Sequence, residues 1–203
     1  MGVLLAKVLV LFAHPAQHNS RMNKMLARVA RRLTDVTFVD LYADYPRFKI
    51  DIDREQERLD AHDVVVLQFP IYWYSSPSIL KEWQDLVLEF GWAYGPGGTH
   101  LHGKKLVLAV TLGGARDAYG PDGQNFFDLR TLLAPFEAMA HLCGMEYLPP
   151  LPLFGAHQAS EGGRDRMHLA AYQSLLMGLA DNSFRPGDGP LTTLADLPAK
   201  QGA

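Results

Sequence analysis

The sequence predicts an α/β protein built on one open, parallel, five-stranded sheet with helices on both faces. Two features carry that expectation. Strand and helix signals alternate along the chain, five of each, which is the order of a parallel sheet with crossover helices. The strand segments are near-continuous apolar runs, as expected where both faces are covered. A chain of 203 residues suits one domain, able to bury roughly 70% of its unfolded surface.

The first strand is "KVLVLFA", from Lys7 to Ala13. Ser20 then opens a helix as its N-cap, with Met22, Met25, Leu26, Val29 and Leu33 at helical spacing. "VTFVDLY", Val36 to Tyr42, is the second strand, and "DIDREQERLDAHD" a short polar helix that delivers the third strand, Val64 to Phe69. "SILKEWQDLVLEF" is amphipathic, with Ile79, Leu80, Trp83, Leu86, Val87 and Phe90 along its apolar face. "KKLVLAVTL" forms the fourth strand. The fourth helix runs from Leu129 to Cys143, where Pro135 either kinks it or marks its true start. "MEYLPPL" is a short fifth strand and "DRMHLAAYQSLLMGLA" the last helix. The domain is expected over residues 1–182. Residues 183–203, rich in Pro and Gly and without periodicity, are expected to be a flexible tail or to drape over a neighbouring surface.

Composition narrows the function. Hydrophobic residues at 48% and charged residues at 20% are ordinary for a soluble globular protein. A net charge of -3 offers no basic footprint for nucleic acid, and Arg28, Arg31 and Arg32 read as a solvated helix face. No apolar run approaches the ~20 residues that cross a bilayer. The apolar start lacks a basic n-region and a cleavage site, so it reads as a strand, and the chain is expected to be cytoplasmic. Cys143 is the sole cysteine, which excludes an internal disulfide; it reads as a small buried hydrophobe. The histidines are scattered, and no metal cluster is expected.

In an open α/β sheet, ligands bind outside the carboxyl ends of the strands. Three loops there are unusual. "AHPAQHNSRMN" runs from the first strand into a helix N-terminus without the glycines of a dinucleotide fingerprint. Its free N–H groups suit a phosphate, with Ser20 donating and His14 bonding or carrying the counter-charge; alternatively Asn19 and Ser20 only cap the helix. "FPIYWYSSPSILKEW" is stiffened by Pro70 and Pro77 and carries Tyr72, Trp73 and Tyr74 in a row. Three adjacent rings cannot all face inward, and each buries ~150–250 Å² when partnered. A flat aromatic ligand or a second subunit would partner them. "TLGGARDAYGPDGQN" provides Gly113 and Gly114, whose backbone can approach a ligand closely, followed by Tyr119 and Asn125. A phosphate seat, an aromatic shelf and a glycine loop in that order fit a flavin mononucleotide.

These stretches are also where the chain resembles a known family. "AHP" followed by "SRMN", "LYADYPRFKIDI", "FPIYWYSSPSILKEW", "GWAYGPGGTHLHGK" and "TLGG" resemble the flavodoxin-like NAD(P)H:quinone reductases. The likeness is greatest to the bacterial ancillary proteins of the glutathione-regulated potassium-efflux system, over roughly Lys7 to Leu179. The resemblance implies flavin contacts at His14, Ser20, Arg21, Met22 and Asn23 around the phosphate and ribityl chain. It implies ring contacts at Pro70, Ile71, Tyr72, Trp73 and Tyr74, a pyrimidine side lined by Thr111, Leu112, Gly113 and Gly114, and Tyr119 reaching over it. The mammalian members carry a histidine where this chain has Asn125, which removes a tyrosine–histidine proton relay. The family's second glycine-loop threonine is Leu112 here.

What the resemblance implies is a two-electron reductase. NAD(P)H reduces the flavin at N5 and a quinone-like acceptor then takes both electrons. Gly113 and Gly114 would steady the reduced ring, Tyr119 would donate a hydrogen bond or proton, and Asn125 completes the candidate catalytic group. FMN is favoured over FAD, because no groove for an adenosine extension is evident. A homodimer is implied, as is a regulatory alternative: an ancillary subunit bound to a potassium–proton antiporter at the inner face of the cell membrane.

Overall fold

The computed structural model describes residues 5–193 and 196–197. Its elements are β1 (Val8–Phe12), α1 (Arg21–Ala30), β2 (Val36–Asp40), α2 (Leu41–Asp44), α3 (Ile52–Asp60) and β3 (Val64–Pro70). They continue with α4 (Ser78–Val87), β4 (Lys105–Thr111), α5 (Leu129–Leu142), β5 (Glu146–Tyr147), β6 (Leu151–Leu153) and α6 (Arg164–Ala180). The sheet runs β2-β1-β3-β4-β5, every pair parallel, with β6 also on β4.

The apolar strands are buried on two sides because successive side chains alternate across the sheet. Leu9 and Leu11 of β1, with Val65 and Leu67 of β3, join one core with Leu59, Ile79, Leu80, Trp83 and Phe136. Val8 and Val10, with Val64 and Val66, join the other with Leu26, Tyr172, Leu175 and Leu179. Helices α3, α4 and α5 thus cover one face, and α1 and α6 the other. From β1 the chain steps out to β2 on one side and then to β3 on the other. The order reverses there, and a crevice opens beyond the ends of β1 and β3.

The structure departs from the sequence reading in several places. The fifth strand is split: β5 pairs with Lys105 and Leu106, whereas β6 pairs with Ala109 to Thr111. Pro149 and Pro150 lie between them, where neither can donate an N–H to the ladder. The second strand ends at Asp40 rather than Tyr42, because the Asp40 carboxylate accepts the Ala43 N–H at 3.2 Å and starts a helical turn. Phe90 does not share the apolar face of α4. The helix closes at Val87, and Phe90 is 68% exposed, meeting Tyr94 edge-on. Pro135 lies inside α5, which starts at Leu129 behind the Asp128 cap.

The polar helix α3 conceals a buried acid. Glu55 is fully buried, accepting from Tyr45 Oη at 2.6 Å, from Trp83 Nε1 at 2.9 Å and from the Arg58 guanidinium. Arg58 also reaches Asp44 at 2.9 Å, so one ionic group ties the segment after β2 to α3 and α4.

The proposed flexible tail falls partly outside the described residues, at 194–195 and 198–203. Its described part lies along the domain. Phe184 is buried in the core beside α6, and its N–H donates to Gly178 O at 2.8 Å. Thr192 donates from N to Pro150 O at 2.9 Å and from Oγ1 to Pro149 O at 2.7 Å.

Burial also makes the fold sensitive to acid. His168 of α6 is buried, and desolvation pushes its pKa down to about 4 from 6.5. The folded state resists the proton that the unfolded chain accepts, so stability present above pH 6.5 is lost as pH falls toward about 4. The loss between pH 7 and about pH 4.5 is expected to be about 2–3 kcal/mol from this group. Urea midpoints at the two pH values measure it, and His168→Gln should flatten the slope. An unchanged slope in that variant would assign the acid sensitivity elsewhere.

Candidate functional site

The crevice beyond β1, β3 and β4 encloses about 530 Å³. Its first wall is the turn between β1 and α1. Ser20 caps the helix in extended backbone, its Oγ accepting the Asn23 N–H at 3.2 Å. The N–H groups at the start of α1 have no carbonyl one turn earlier and face this end of the cleft. Arg21 stands beside them, its guanidinium 3.3 Å from Asp165 of α6. His14 is buried, and its Nδ1 accepts the Ala16 N–H at 3.2 Å. The ring proton therefore sits on Nε2, 3.4 Å from Tyr72 Oη. Burial lowers the His14 pKa, so of its two expected roles the neutral hydrogen-bond donor is the one the surroundings favour.

The second wall follows β3. Tyr72 and Ser75 exchange N–H···O bonds of 3.0 and 3.1 Å, closing a hairpin on Trp73 and Tyr74. Both turn residues are left-handed, at φ 49° and 64°, the geometry that Asn-Gly normally supplies. Trp73 is held 93% exposed. Tyr74 Oη donates to Asn125 Oδ1 at 3.3 Å, tying this hairpin to the loop after β4. Burial raises the Tyr72 pKa, so its phenol stays protonated.

In the third wall, Ile71 N–H donates to Thr111 O at 2.8 Å and Leu112 N–H to Leu153 O at 2.9 Å, which buries the Leu112 side chain and leaves its backbone at the cleft. A Cβ on Gly113 would project toward the His157 ring, 3.8 Å away, filling space between the walls. Gly114 is differently used. Its N–H faces the Tyr119 phenol, and its carbonyl accepts the Gly155 N–H at 2.8 Å. Tyr119 packs on Phe154 and shares a second cavity with Arg116 and Leu191.

The structure thus brings together His14, Ser20, Arg21, Met22, Asn23, Pro70, Ile71, Tyr72, Thr111, Leu112 and Gly113. It places Trp73, Tyr74, Gly114, Tyr119 and Asn125 outside the cleft lining. The sequence reading missed a fourth wall, Ala156, His157, Ala159 and Ser160, from the segment after β6. Arg164 holds that segment, donating to Phe154 O at 2.9 Å, Gly155 O at 3.3 Å and Gln158 O at 3.0 Å. The signal was the Gly-rich run "FGAHQASEGG" at the end of the last strand, which the rule on strand carboxyl ends covers as well.

The sequence profile of the flavodoxin-like fold matches residues 6–176. The chain belongs to that family. Among curated relatives of this flavodoxin-like chain, the glutathione-regulated potassium-efflux system ancillary protein KefG of Cronobacter sakazakii is 48% identical over 155 residues, 76% of this chain and 84% of that protein. The crystal structure of general stress protein 14 from Treponema denticola, in complex with FMN, superposes with a TM-score of 0.80 at 39% identity, covering 85% of this chain and 99% of that one. An NADPH-quinone reductase from P. pentosaceus gives 0.74 at 29% identity, covering 83% and 96%. Among the described residues, no helix is long and apolar enough to cross a membrane, and no group of three or more acidic, His or Cys side chains is placed to hold a metal ion.

Proposed function

We propose that this flavodoxin-like chain is an FMN-dependent NAD(P)H:quinone oxidoreductase. The observation that carries the reading is one cleft lined by a capped helix N-terminus together with Tyr72 and Gly113. The FMN-bound relative and the NADPH-quinone reductase support it. FMN, when bound, supplies two-electron hydride chemistry at its N5.

The donor set fits that cofactor. The α1 N–H groups, Ser20 and Arg21 are placed for a phosphate, the helix end contributing ~0.3–1 kcal/mol. Asn23, buried at the cleft lining, donates its amide to Ser20 and Thr111 and so orients the two hydroxyls that would meet the cofactor. Tyr72 and Gly113 leave a slot for a planar ring, which His14 borders as a neutral donor. With FMN bound, the Gly113 N–H would be available to steady negative charge on the reduced ring. Gly114 and Tyr119 act one layer out: the Gly114 N–H orients the phenol, which burial keeps protonated as a donor. Asn125 holds Tyr74 and so positions the hairpin. Trp73, with Phe126 and Phe127 at 73% and 56% exposure, forms an apolar rim that a second copy of the chain would cover.

The test is steady-state oxidation of NADPH or NADH with menadione by protein loaded with FMN. Turnover with kcat/KM of at least ~10⁴ M⁻¹ s⁻¹ is expected; absence of turnover in the loaded protein overturns the reading. The likeness to KefG favours a second, compatible role as an ancillary subunit of a potassium-efflux antiporter at the inner membrane face. Co-purification with a co-expressed antiporter tests it, and no enrichment over a control excludes it.

A further inference from the structure

The floor of the cleft contains an amide whose hydrogen bonds all run one way. Asn23 is 2% exposed. Its Nδ2 donates to Thr111 Oγ1 at 2.9 Å and to Ser20 Oγ at 3.2 Å, and its backbone N–H donates to the same Ser20 Oγ at 3.2 Å. Its Oδ1 is sealed from solvent without a partner among the described residues. The opposite amide orientation would let Oδ1 accept from both hydroxyls but strand two buried N–H hydrogens instead of one carbonyl oxygen. The observed orientation therefore costs less.

This arrangement decides what the two hydroxyls can do. A hydroxyl has one hydrogen and two lone pairs: Ser20 Oγ already accepts twice and can only donate further, whereas Thr111 Oγ1 accepts once and keeps one lone pair beside its hydrogen. No acceptor among the described residues takes either hydrogen. Both residues line the cleft, so both hydrogens are left for whatever enters it. The amide is supported from beneath, where Tyr172 Oη donates to Gln68 Oε1 at 2.7 Å and Gln68 Nε2 to Asn23 O at 3.4 Å. Tyr172 and Gln68 are fully buried, so the first turn of α1 is braced from the core.

We propose that Asn23 is a positioning residue that fixes the hydrogen-bond polarity of the site, making Ser20 an obligate donor and leaving the Thr111 hydrogen free for the ligand. The site then requires an acceptor at Ser20, a phosphate oxygen, and offers the Thr111 hydrogen to an unprotonated oxygen or nitrogen of the flavin. The inference rests on the flavin reading and adds the reason that a donor cluster is presented there.

Fluorescence titration with FMN and with riboflavin tests it, since riboflavin lacks the phosphate. Wild-type protein should prefer FMN. Asn23→Leu, which removes the amide without adding charge, should weaken FMN at least tenfold and riboflavin less. In double-mutant cycles, Ser20→Ala and Thr111→Val should each cost about tenfold in FMN affinity alone and little once Asn23 is leucine. Additive cycles would overturn the proposal, because a residue that merely packs would not couple to both hydroxyls. Asn23→Asp, nearly isosteric, accepts where the amide donates; it should erase the preference for FMN, and a retained preference also overturns the proposal. If wild-type protein binds neither flavin, the flavin reading itself fails. If it binds FMN and the cycles add, only the role of Asn23 does.

Discussion

Glu55→Ala is expected to cost the fold about 3–5 kcal/mol, the range for breaking a buried ionic group from one side. The mechanism is the stranding of partners. Tyr45 Oη and Trp83 Nε1 lose their acceptor inside the core, where each orphaned donor costs about 1–3 kcal/mol. Arg58 keeps Asp44, which offsets part of the loss. At about 2–4 °C per kcal/mol for a chain of this size, the melting temperature should fall roughly 10 °C. Urea unfolding measures the free energy directly. A loss under about 1 kcal/mol would mean that Tyr45 and Arg58 find water, and that Glu55 is not the tie between α3, α4 and the segment after β2.

Replacing Trp73–Tyr74 by Asn-Gly should act in the opposite direction on stability. Two side-chain-bearing residues in left-handed backbone cost roughly 1–2 kcal/mol each, and Asn-Gly relieves most of that in a turn of this type. Trp73 is so exposed that its removal forfeits almost no burial, and the Tyr74–Asn125 bond is a surface contact. The variant is therefore expected to be about 2 kcal/mol more stable in urea. In the assay of the proposed quinone reduction, turnover should fall at least tenfold if the hairpin is held strained for the groups it positions. Unchanged stability would show that the turn is relaxed. Unchanged turnover would show that neither the catalytic slot nor a second subunit uses these rings.

The legibility of the fold and of the site had different origins. Val8–Phe12, Val64–Pro70 and Lys105–Thr111 were readable because strands covered on both faces must be apolar throughout. Ser20 was readable because capping is a local bargain between one hydroxyl and one N–H. Glu55 was hidden, since nothing in the pattern of a charged helix marks which carboxylate the core encloses. The turn at Trp73 and Tyr74 was hidden for the converse reason. Left-handed backbone is signalled by Gly or Asn, and this chain spends aromatic residues there instead. Phe90 kept helical spacing beyond the point where the helix had already closed.

The chain alone determined the order of its strands and helices, the capped entrance to α1 and the residue types that three of its loops carry to the sheet's edge. These follow from short-range preferences and from which surfaces must leave water. The fourth wall at Ala156 to Ser160, the separation of Tyr119 and Gly114 from the cleft, and the one-way hydrogen bonds of Asn23 came only with the folded molecule. Each depends on segments distant in sequence meeting at ångström separations, where burial and the geometry of a partner decide what a side chain does.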